Sequence, residues 1–361
     1  MNSVSIASTV TVTTPALYRA WQQLRSEQPK LRAREAAQQL GVSEGELLAC
    51  RVGTDALRLR PHWAELLPAL EGLGYVMALT RNEHCVHERK GIYREVSVSA
   101  NGGMGLVVSA DIDLRLFLKG WESVFALTES TGRGVQRSLQ VFDAQGMAVH
   151  KVFLTEQSDL EAWNLLLERF RHEDQQPELE ILPAMPKTAA RADDEIDADS
   201  LRAGWAALKD THHFFALINR HGAAREQALR LAGREWAEPL AVSELPRLFE
   251  AAAAREVPIM VFVGNAHCIQ IHSGPVQNLR WLDSWFNVMD PEFNLHLQTR
   301  GVHSLWRVRK PSTDGVITSW EAFDADGELV LQLFGARKPG VPELDGWRQL
   351  AESFVALGAE Q

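Results

Sequence analysis

The apolar residues between Leu201 and Arg225 recur at the spacing of an amphipathic helix, and a histidine lies among them. Asp199 or Ser200 can cap the start of such a helix, and Gly222 can end it. At about 3.6 residues per turn, one face carries Leu201, Trp205, Leu208, His212 and Phe215. The pattern therefore predicts one continuous helix with His212 inside its apolar face. An imidazole there either bonds to a backbone carbonyl in the core or binds a ligand, and the pattern leaves both open.

Earlier in the chain, segments of helical period surround a long run of strand period. Helical spacing predicts helices over residues 15–40, 42–48 (capped by Ser43), 61–73 and 158–171. Between the last two, alternating segments bounded by Gly, Asn and Asp predict strands at residues 75–80, 85–88, 96–99, 105–108, 113–117, 123–128, 138–142 and 149–154.

Residues 173–199 differ from both flanks because they combine three prolines and many acidic residues with few aromatics, which is typical of an interdomain linker. The first residues lack the basic start and the long apolar run of a signal peptide. We therefore expect a flexible leader at residues 1–14, an N-terminal repeat at 15–172, a linker at 173–199 and a C-terminal repeat at 200–361.

Short segments of the first half of the chain recur in the second half at nearly constant separation, so the two halves are repeats. The matched positions are Trp21 with Trp205, Ala33 with Ala224, Asn82 with Asn265, Arg115 with His296, and Val141 with Ala322. The match at Ala33 implies a loop about seven residues shorter in the first half. Gln28 then stands where the second half has His212. These observations predict an α+β fold made by tandem duplication. Each half has helices and a large antiparallel sheet, and a cleft between the halves can take a large flat ligand.

Composition narrows the class of protein further. The chain of 361 residues carries a net charge of −10 and has no run of 18 apolar residues, which argues against a membrane span and against non-specific nucleic-acid binding. Its three cysteines show no C-x-x-C spacing and leave an odd thiol, which favours a reducing compartment, so we expect a cytoplasmic protein. Without C-x-x-C-H, covalent haem attachment of the c type is not expected.

Several motifs in this order resemble the HemS/ChuS/HmuS/PhuS family of cytoplasmic haem-utilisation proteins of Gram-negative bacteria. The motifs are D-T-H-H-F-F from Asp210, A-A-R-E-Q-A from Ala223, D-L-R-L-F from Asp113, F-N-L-H-L from Phe293 and Q-L-F-G-A-R-K-P-G from Gln332. Each is weak alone, but together they span the chain from about Ala16 to Phe354. The adjacent histidines resemble the PhuS branch of the family. The resemblance implies haem b, held non-covalently.

The resemblance also implies how the iron is held. His212 is the expected axial ligand, and His213 is an alternate or transfer ligand. On the opposite side of the haem the family places an arginine and a phenylalanine, which are Arg115 and Phe117 here. Strand alternation points both to one side, where the guanidinium can bond a distal water or dioxygen. Arg115 could instead pair with Asp111 or Asp113 as an ordinary strand charge.

The remaining implied contacts concern the two propionates and the porphyrin. Arg225, Lys310 and Arg337 resemble the basic positions of the family pocket, and Phe262 resembles an apolar one. His296, in the position of Arg115, offers a weak second haem contact or bonds across its sheet. Leu331 stands near a position where some members have a pocket tyrosine.

Three functions remain open from the sequence. The first is a haem carrier that serves iron acquisition and delivers haem to a haem oxygenase. The second is a haem-degrading enzyme in which Arg115 is the distal catalytic residue. Because no G-x-G-x-x-G fingerprint follows a strand, this enzyme would need a reductase as electron donor. The third is a scaffold for another hydrophobic ligand. Either a monomer or a homodimer fits.

Overall fold

The computed structural model describes residues 14–132, 134–184, 189–338 and 340–358. The expected leader, apart from Thr14, lies outside the described residues, as does part of the expected linker. Before residue 173 the helices are α1 (Thr14–Glu27), α2 (Ala33–Leu40), α3 (Glu44–Ala49), α4 (Trp63–Ala69) and α5 (Leu160–Phe170). After it they are α6 (Ala198–Ala206), α7 (His213–His221), α8 (Arg225–Ala232), α9 (Glu244–Ala254) and α10 (Asp345–Glu352).

Within the described residues, each repeat contributes nine strands. Those of the first repeat are β1 (Ala56–Leu59), β2 (Gly74–Arg81), β3 (Cys85–Gly91), β4 (Val96–Val98), β5 (Gly105–Val108), β6 (Asp113–Leu116), β7 (Ser123–Thr131), β8 (Gly134–Phe142) and β9 (Ala148–Ser158). Those of the second are β10 (Ala237–Leu240), β11 (Ile259–Asn265), β12 (Cys268–Gly274), β13 (Leu279–Leu282), β14 (Trp285–Met289), β15 (Phe293–Gln298), β16 (Ser304–Ser312), β17 (Gly315–Phe323) and β18 (Leu329–Gly335).

Within the described ranges these strands form two antiparallel nine-stranded sheets, and each sheet contains strands from both repeats. The first sheet has the order β1-β7-β8-β9-β2-β3-β15-β14-β13, and the second has β10-β16-β17-β18-β11-β12-β6-β5-β4. The repeats thus exchange three strands each, at the pairings β3–β15 and β12–β6. The expected α+β duplication is confirmed, whereas the exchange of strands between the repeats was not predicted from the sequence.

Strand alternation gives each sheet an inner and an outer face. On the inner faces, Val261 and Val263 of the second sheet share one core with Leu295 and Leu297 of the first, so the two sheets pack together. Helices α4, α5, α9 and α10 cover the rest of these faces. The outer face of the second sheet meets α6, α7 and α8 in a separate core that includes Phe323.

Two asparagines join the repeats where the sheets cross. The Asn82 amide donates to the carbonyls of Gly264 (3.1 Å) and Val330 (2.7 Å). The Asn265 amide donates in return to the carbonyls of Arg81 (3.1 Å) and Val149 (2.9 Å). The recurring N-x-H-C motif therefore has a structural role, since each copy satisfies backbone carbonyls of the other repeat.

The continuous helix expected from Leu201 to Arg225 is wrong. Helix α6 ends at Ala206, and α7 begins only at His213. The cause is local, because the Asp210 side chain accepts the His212 N–H (2.8 Å), a bond that competes with helical pairing. The cap of α6 is Asp197 and neither expected residue, whereas Gly222 ends α7 with φ +64 as expected.

The helix matching between repeats also needs correction. Both α2 and α7 end at a left-handed glycine, Gly41 and Gly222, and each is followed by a helix whose third residue accepts the N–H of the N-cap residue through its side chain. Helix α2 therefore corresponds to α7, so Ala33 corresponds to Phe214, and its match to Ala224 is coincidental. The expected seven-residue shortening disappears with that match. The expected helix over residues 15–40 is likewise broken, between α1 and α2.

The eight expected strands are all confirmed as β2 to β9, and Ser43 caps α3. The short strand β1 was not expected.

Candidate functional site

His212 lies at the solvent-exposed start of α7. Its side chain is 82% exposed, so its expected burial in an apolar face, and with it the core hydrogen-bonding role, is wrong. His213 and Phe215 are also exposed, whereas Trp205 and Phe214 are buried. The broken helix explains this arrangement, because His212 belongs to the turn between α6 and α7 and not to the stripe of Trp205.

A carboxylate sets the tautomer of His212. Nδ1 lies 2.7 Å from Oδ1 of Asp210, and the bonds from the His212 backbone and imidazole lower the pKa of Asp210. Because an ionised carboxylate only accepts, Nδ1 carries a proton, which leaves Nε2 as the nitrogen available to a ligand. Among the described residues Nε2 has no hydrogen-bond partner. The site thus presents an oriented imidazole nitrogen to solvent.

The segment that carries His212 is anchored on both sides, once to the second sheet and once to helix α6. The Thr313 N–H, at the β16–β17 turn, donates to the carbonyl of Lys209 (3.0 Å). Two residues after His212, the Phe214 ring packs edge-on against Trp205 with centroids 4.7 Å apart. The donor nitrogen therefore projects from a fixed backbone.

A buried charge cluster supports the Phe214 ring. Lys310 and Arg225 lie 4.6 and 5.2 Å from the ring centroid, and both bind Glu321. Lys310 is 3% exposed and Glu321 is fully buried. Burial lowers the pKa of Lys310 to about 8. Burial alone would raise the pKa of Glu321, but Arg225 and Lys310 hold it well below its ordinary value. Two of the three expected cationic residues are thus together, but both are bound to a carboxylate.

Arg115 lies on the same outer face, on the exchanged strand β6. It pairs with Ile269 of β12 and binds Asp113, which is one of the pairings that the sequence left open. Its side chain is 34% exposed, so the guanidinium keeps access to solvent. Burial raises the pKa of Asp113 although Arg115 opposes the shift. Phe117 follows on the same side of the chain and is half-buried.

A cavity of about 670 Å³ lies beside these strands, where the outer face of the second sheet meets the turns of the first repeat. Phe262 lines it, supported by Phe334 at a centroid distance of 5.1 Å. Of the expected pocket positions in the described ranges, Phe262 and Leu331 are among its lining residues. Further lining residues are Arg34, Met147, Ile269, Asp324, Asp326 and Gln332. Its size and its aromatic wall suit a small-molecule ligand, and its acidic side disfavours carboxylates there.

The other expected residues divide between the two sheets. Arg337 donates to Asp314 (2.7 Å), next to the turn that holds Lys209, so it lies near the His212 loop. His296 lies on the outer face of the first sheet and bonds Asn287 (2.6 Å). It is thus the counterpart of Arg115 in the other sheet, away from the His212 loop. Leu331 is buried in the inner core.

The sequence patterns did not identify two further candidates for functional residues, Asp210 and Glu321. Asp210 lies only two residues before His212, so the D-x-H spacing was a usable signal for a carboxylate–imidazole pair. Glu321 gave no local signal, because its partners Arg225 and Lys310 reach it only through the fold. In the described part of the chain no three His, Cys, Asp or Glu side chains converge as ligands for a metal ion. Nor does any helix in these ranges combine the length and apolar character that a bilayer crossing requires.

The fold and the site define a class of protein: a duplicated, strand-exchanged β-sheet protein with an exposed, carboxylate-bound imidazole and a separate cavity with an aromatic wall. A family model described as the haemin-degrading HemS.ChuX domain matches residues 41–170 and 222–354, one match in each repeat. This chain belongs to the HemS family.

Individual relatives agree with this assignment. The chain is 41% identical to the hemin transport protein HmuS of Yersinia pestis over 92% of this chain and 96% of that one. The structure of holo-PhuS, a heme-binding protein from Pseudomonas aeruginosa, is 70% identical with a TM-score of 0.94, covering 96% of this chain and 100% of that one. The heme degrading enzyme ChuS of Escherichia coli O157:H7 is 38% identical with a TM-score of 0.88, covering 95% and 100%.

Proposed function

We propose that this chain is a cytoplasmic haem-binding protein of bacterial haem uptake that carries haem b to a haem oxygenase. The observation that carries the proposal is the His212 imidazole, which is exposed and has its Nδ1 bonded to Asp210. The 70% identity to holo-PhuS, a heme-binding protein, supports haem as the ligand. Three buried, unpaired cysteines support a reducing compartment.

The donor set fits haem. A single neutral imidazole is a complete protein contribution for an iron whose equatorial ligands come from a porphyrin. A carboxylate on the other ring nitrogen raises the basicity of the ligand and fixes its orientation. His213 is exposed next to His212, so it offers a second imidazole during transfer of the iron.

The rest of the pocket suits the remainder of the ligand. Phe117 and Phe262 supply apolar contact, and Arg115 supplies a hydrogen-bond donor on the distal side. The carboxylates of the ligand belong near Arg337 and the Arg225–Lys310–Glu321 cluster. That cluster keeps one net positive charge, whereas the cavity side near Asp324 repels anions. Because Lys310 is buried, it attracts a propionate by Coulomb interaction over a distance and does not bond it directly unless Glu321 moves.

Haem degradation is the second candidate function. Haem would supply a redox-active iron with an open coordination position, and electrons would come from a separate reductase. Arg115 is the residue of this chain that favours the idea, because its partly exposed guanidinium can hold an oxygen ligand or a water by hydrogen bonds. ChuS, a heme degrading enzyme, resembles this chain at 38% identity. The 70% identity to PhuS, a heme-binding protein, is our reason for proposing the carrier first.

Hemin titration of the full chain tests haem binding. We expect a Soret band that saturates at one equivalent, and a change of spectrum or at least a tenfold loss of affinity in His212→Ala. His62→Ala is the matched control, since His62 is an exposed histidine at the start of α4. A double replacement of His212 and His213 should remove the residual ligation. An unchanged spectrum and affinity in His212→Ala would reject the ligand assignment, and a missing Soret band would favour another hydrophobic ligand.

A second assay separates carrier from enzyme. Protein loaded without oxygen is exposed to oxygen and a reductase in the presence of catalase, and biliverdin-like product and free iron are measured. A carrier transfers its haem rapidly to haem oxygenase, and its own product formation is suppressed by catalase. Regioselective turnover that survives catalase would establish the enzyme instead.

A further inference from the structure

A second cavity, of about 350 Å³, opens on the outer side of the first sheet. It lies between α1, α2, α3 and strand β7, far along the fold from His212, and we call it the first-repeat cavity. Its apolar lining comes from Trp21, Pro29, Leu31, Ala33, Leu47 and Leu127. The proposed haem function does not use this cavity.

The second repeat shows why the cavity exists. Helix α2 corresponds to α7, and the buried Ala36 and Ala37 of α2 stand where α7 buries Leu217 and Ile218. At the preceding turn Ala33 stands where α7 has Phe214. Ala33 is exposed at the mouth of the cavity, whereas Phe214 is 2% exposed. The first repeat therefore leaves open the space that an aromatic ring fills in the second.

The surroundings of that space are shared only in part. In the second repeat the Phe214 ring packs against Trp205 and lies over Lys310 and Arg225. In the first repeat Trp21 takes the place of Trp205, and Glu44 and Glu129, which line the cavity, stand where the second repeat has Arg225 and Lys310. Both repeats thus place one indole beside the space, but the first repeat lines it with two carboxylates in place of two cations.

The charges in the first-repeat cavity are already balanced. Arg51 binds Asp55 (2.6 Å) and Glu129 (2.8 Å), and Arg25 lies 3.7 Å from Glu129. An anionic or cationic ligand would therefore break existing pairs, whereas a neutral ring would keep them. A ring that carries one N–H or O–H donor suits the space, because the carboxylates of Glu44 and Glu129 line it and accept hydrogen bonds.

We propose that the first repeat binds a small, neutral aromatic compound with one hydrogen-bond donor, of the indole or phenol class, in the first-repeat cavity. The ring occupies the position that Phe214 holds in the second repeat. An apolar cavity of about 150 Å³ is enough to bind benzene, so the available volume accommodates a bicyclic ring. The chain cannot supply the ring from its own start, since residues 1–13 contain no aromatic residue.

Indole is the probe, and NMR of the full chain is the readout. We expect saturable shifts of the Trp21 indole N–H at millimolar indole or below. Ala33→Phe supplies the ring from the chain itself, so it should lower the affinity for indole at least tenfold and raise Tm. Phe214→Ala is the matched control, because it should open an equivalent cavity and add a second indole site.

Three results would overturn the proposal. They are the absence of saturable shifts with both indole and phenol, unchanged binding in folded Ala33→Phe, and shifts confined to residues outside the cavity lining. Should Ala33→Phe fail to fold, Ala33→Leu fills the space with a smaller side chain and should weaken binding in the same direction. A crystal soaked in indole should show the ring against Trp21. None of these readouts involves haem.

Discussion

Replacing Glu321 with glutamine tests whether the buried charge cluster organises the His212 loop. The substitution keeps the shape of the side chain but removes the charge that Lys310 and Arg225 share. Lys310 is then enclosed without a counter-ion beneath Phe214, which lies two residues after His212. We therefore expect both lower stability and weaker haem binding.

The burial of the cluster sets the size of the effect. Removing one partner of a buried ion pair costs about 3–5 kcal/mol, because the remaining charge has no solvent and no partner. Lys310 can reduce this loss by releasing its proton, since burial already lowers its pKa to about 8. We expect the lower half of that range in Glu321→Gln. Lys310→Met combined with Glu321→Gln should then be more stable than Glu321→Gln alone.

Urea denaturation of Glu321→Gln, the double variant and a control measures their free energies of unfolding. Hemin titration of each measures the effect on His212. Glu65→Gln is the control, because Glu65 pairs with Arg169 on the surface and should cost less than about 1 kcal/mol. A cost for Glu321→Gln no larger than this control, or no recovery on adding Lys310→Met, would refute the reasoning.

Three more predictions address acid stability and the site. Burial holds the pKa of His150 at about 3 and of His272 at about 4. Between about pH 6.5 and 4, both imidazoles take up protons only when the chain unfolds. The free energy of unfolding should therefore decrease as the pH is lowered, by about 2 kcal/mol for His150 at pH 5. Urea midpoints that stay constant over this range would contradict the prediction. Asp210→Asn should weaken hemin binding about 10–100-fold, whereas Asp199→Asn, at an exposed carboxylate, should not. Equal affinities of the two variants would exclude a role for Asp210 in orienting His212. Arg115→Ala should change the distal-side spectrum more than hemin affinity, and an equal loss of affinity would assign it to a propionate.

The strands could be predicted from the sequence because each carries its own signal. Alternation and bounding Gly, Asn and Asp residues are local, so eight segments of the first half were placed within a few residues of their observed ends. The pairing of β6 with β12 could not be predicted, because alternation sets which face a side chain joins and not which strand lies beside it. The short strand β1 is too brief for a periodic signal.

The candidate site shows the same division. His212 was selected because it fitted an apolar stripe, yet the stripe is interrupted by the bond that Asp210 makes to the backbone. The helical period could not reveal that competition, whereas the family motif pointed to the same histidine independently. Glu321 reads as one polar residue in a strand, and its burial depends on a helix residue 96 positions earlier. Charge clusters assembled across such distances are properties of the fold.

The exchange of strands determines what happens when one repeat is expressed alone or when the chain is cleaved between the repeats. Either repeat made alone would keep six strands of its own sheet, and the edge of β3 or β12 would be left unpaired. A chain cleaved between residues 173 and 199 would instead remain one particle, because each fragment completes the sheet of the other. The connecting peptide thus fixes the ratio of the fragments at one to one, while the interlocked hairpins provide the cohesion.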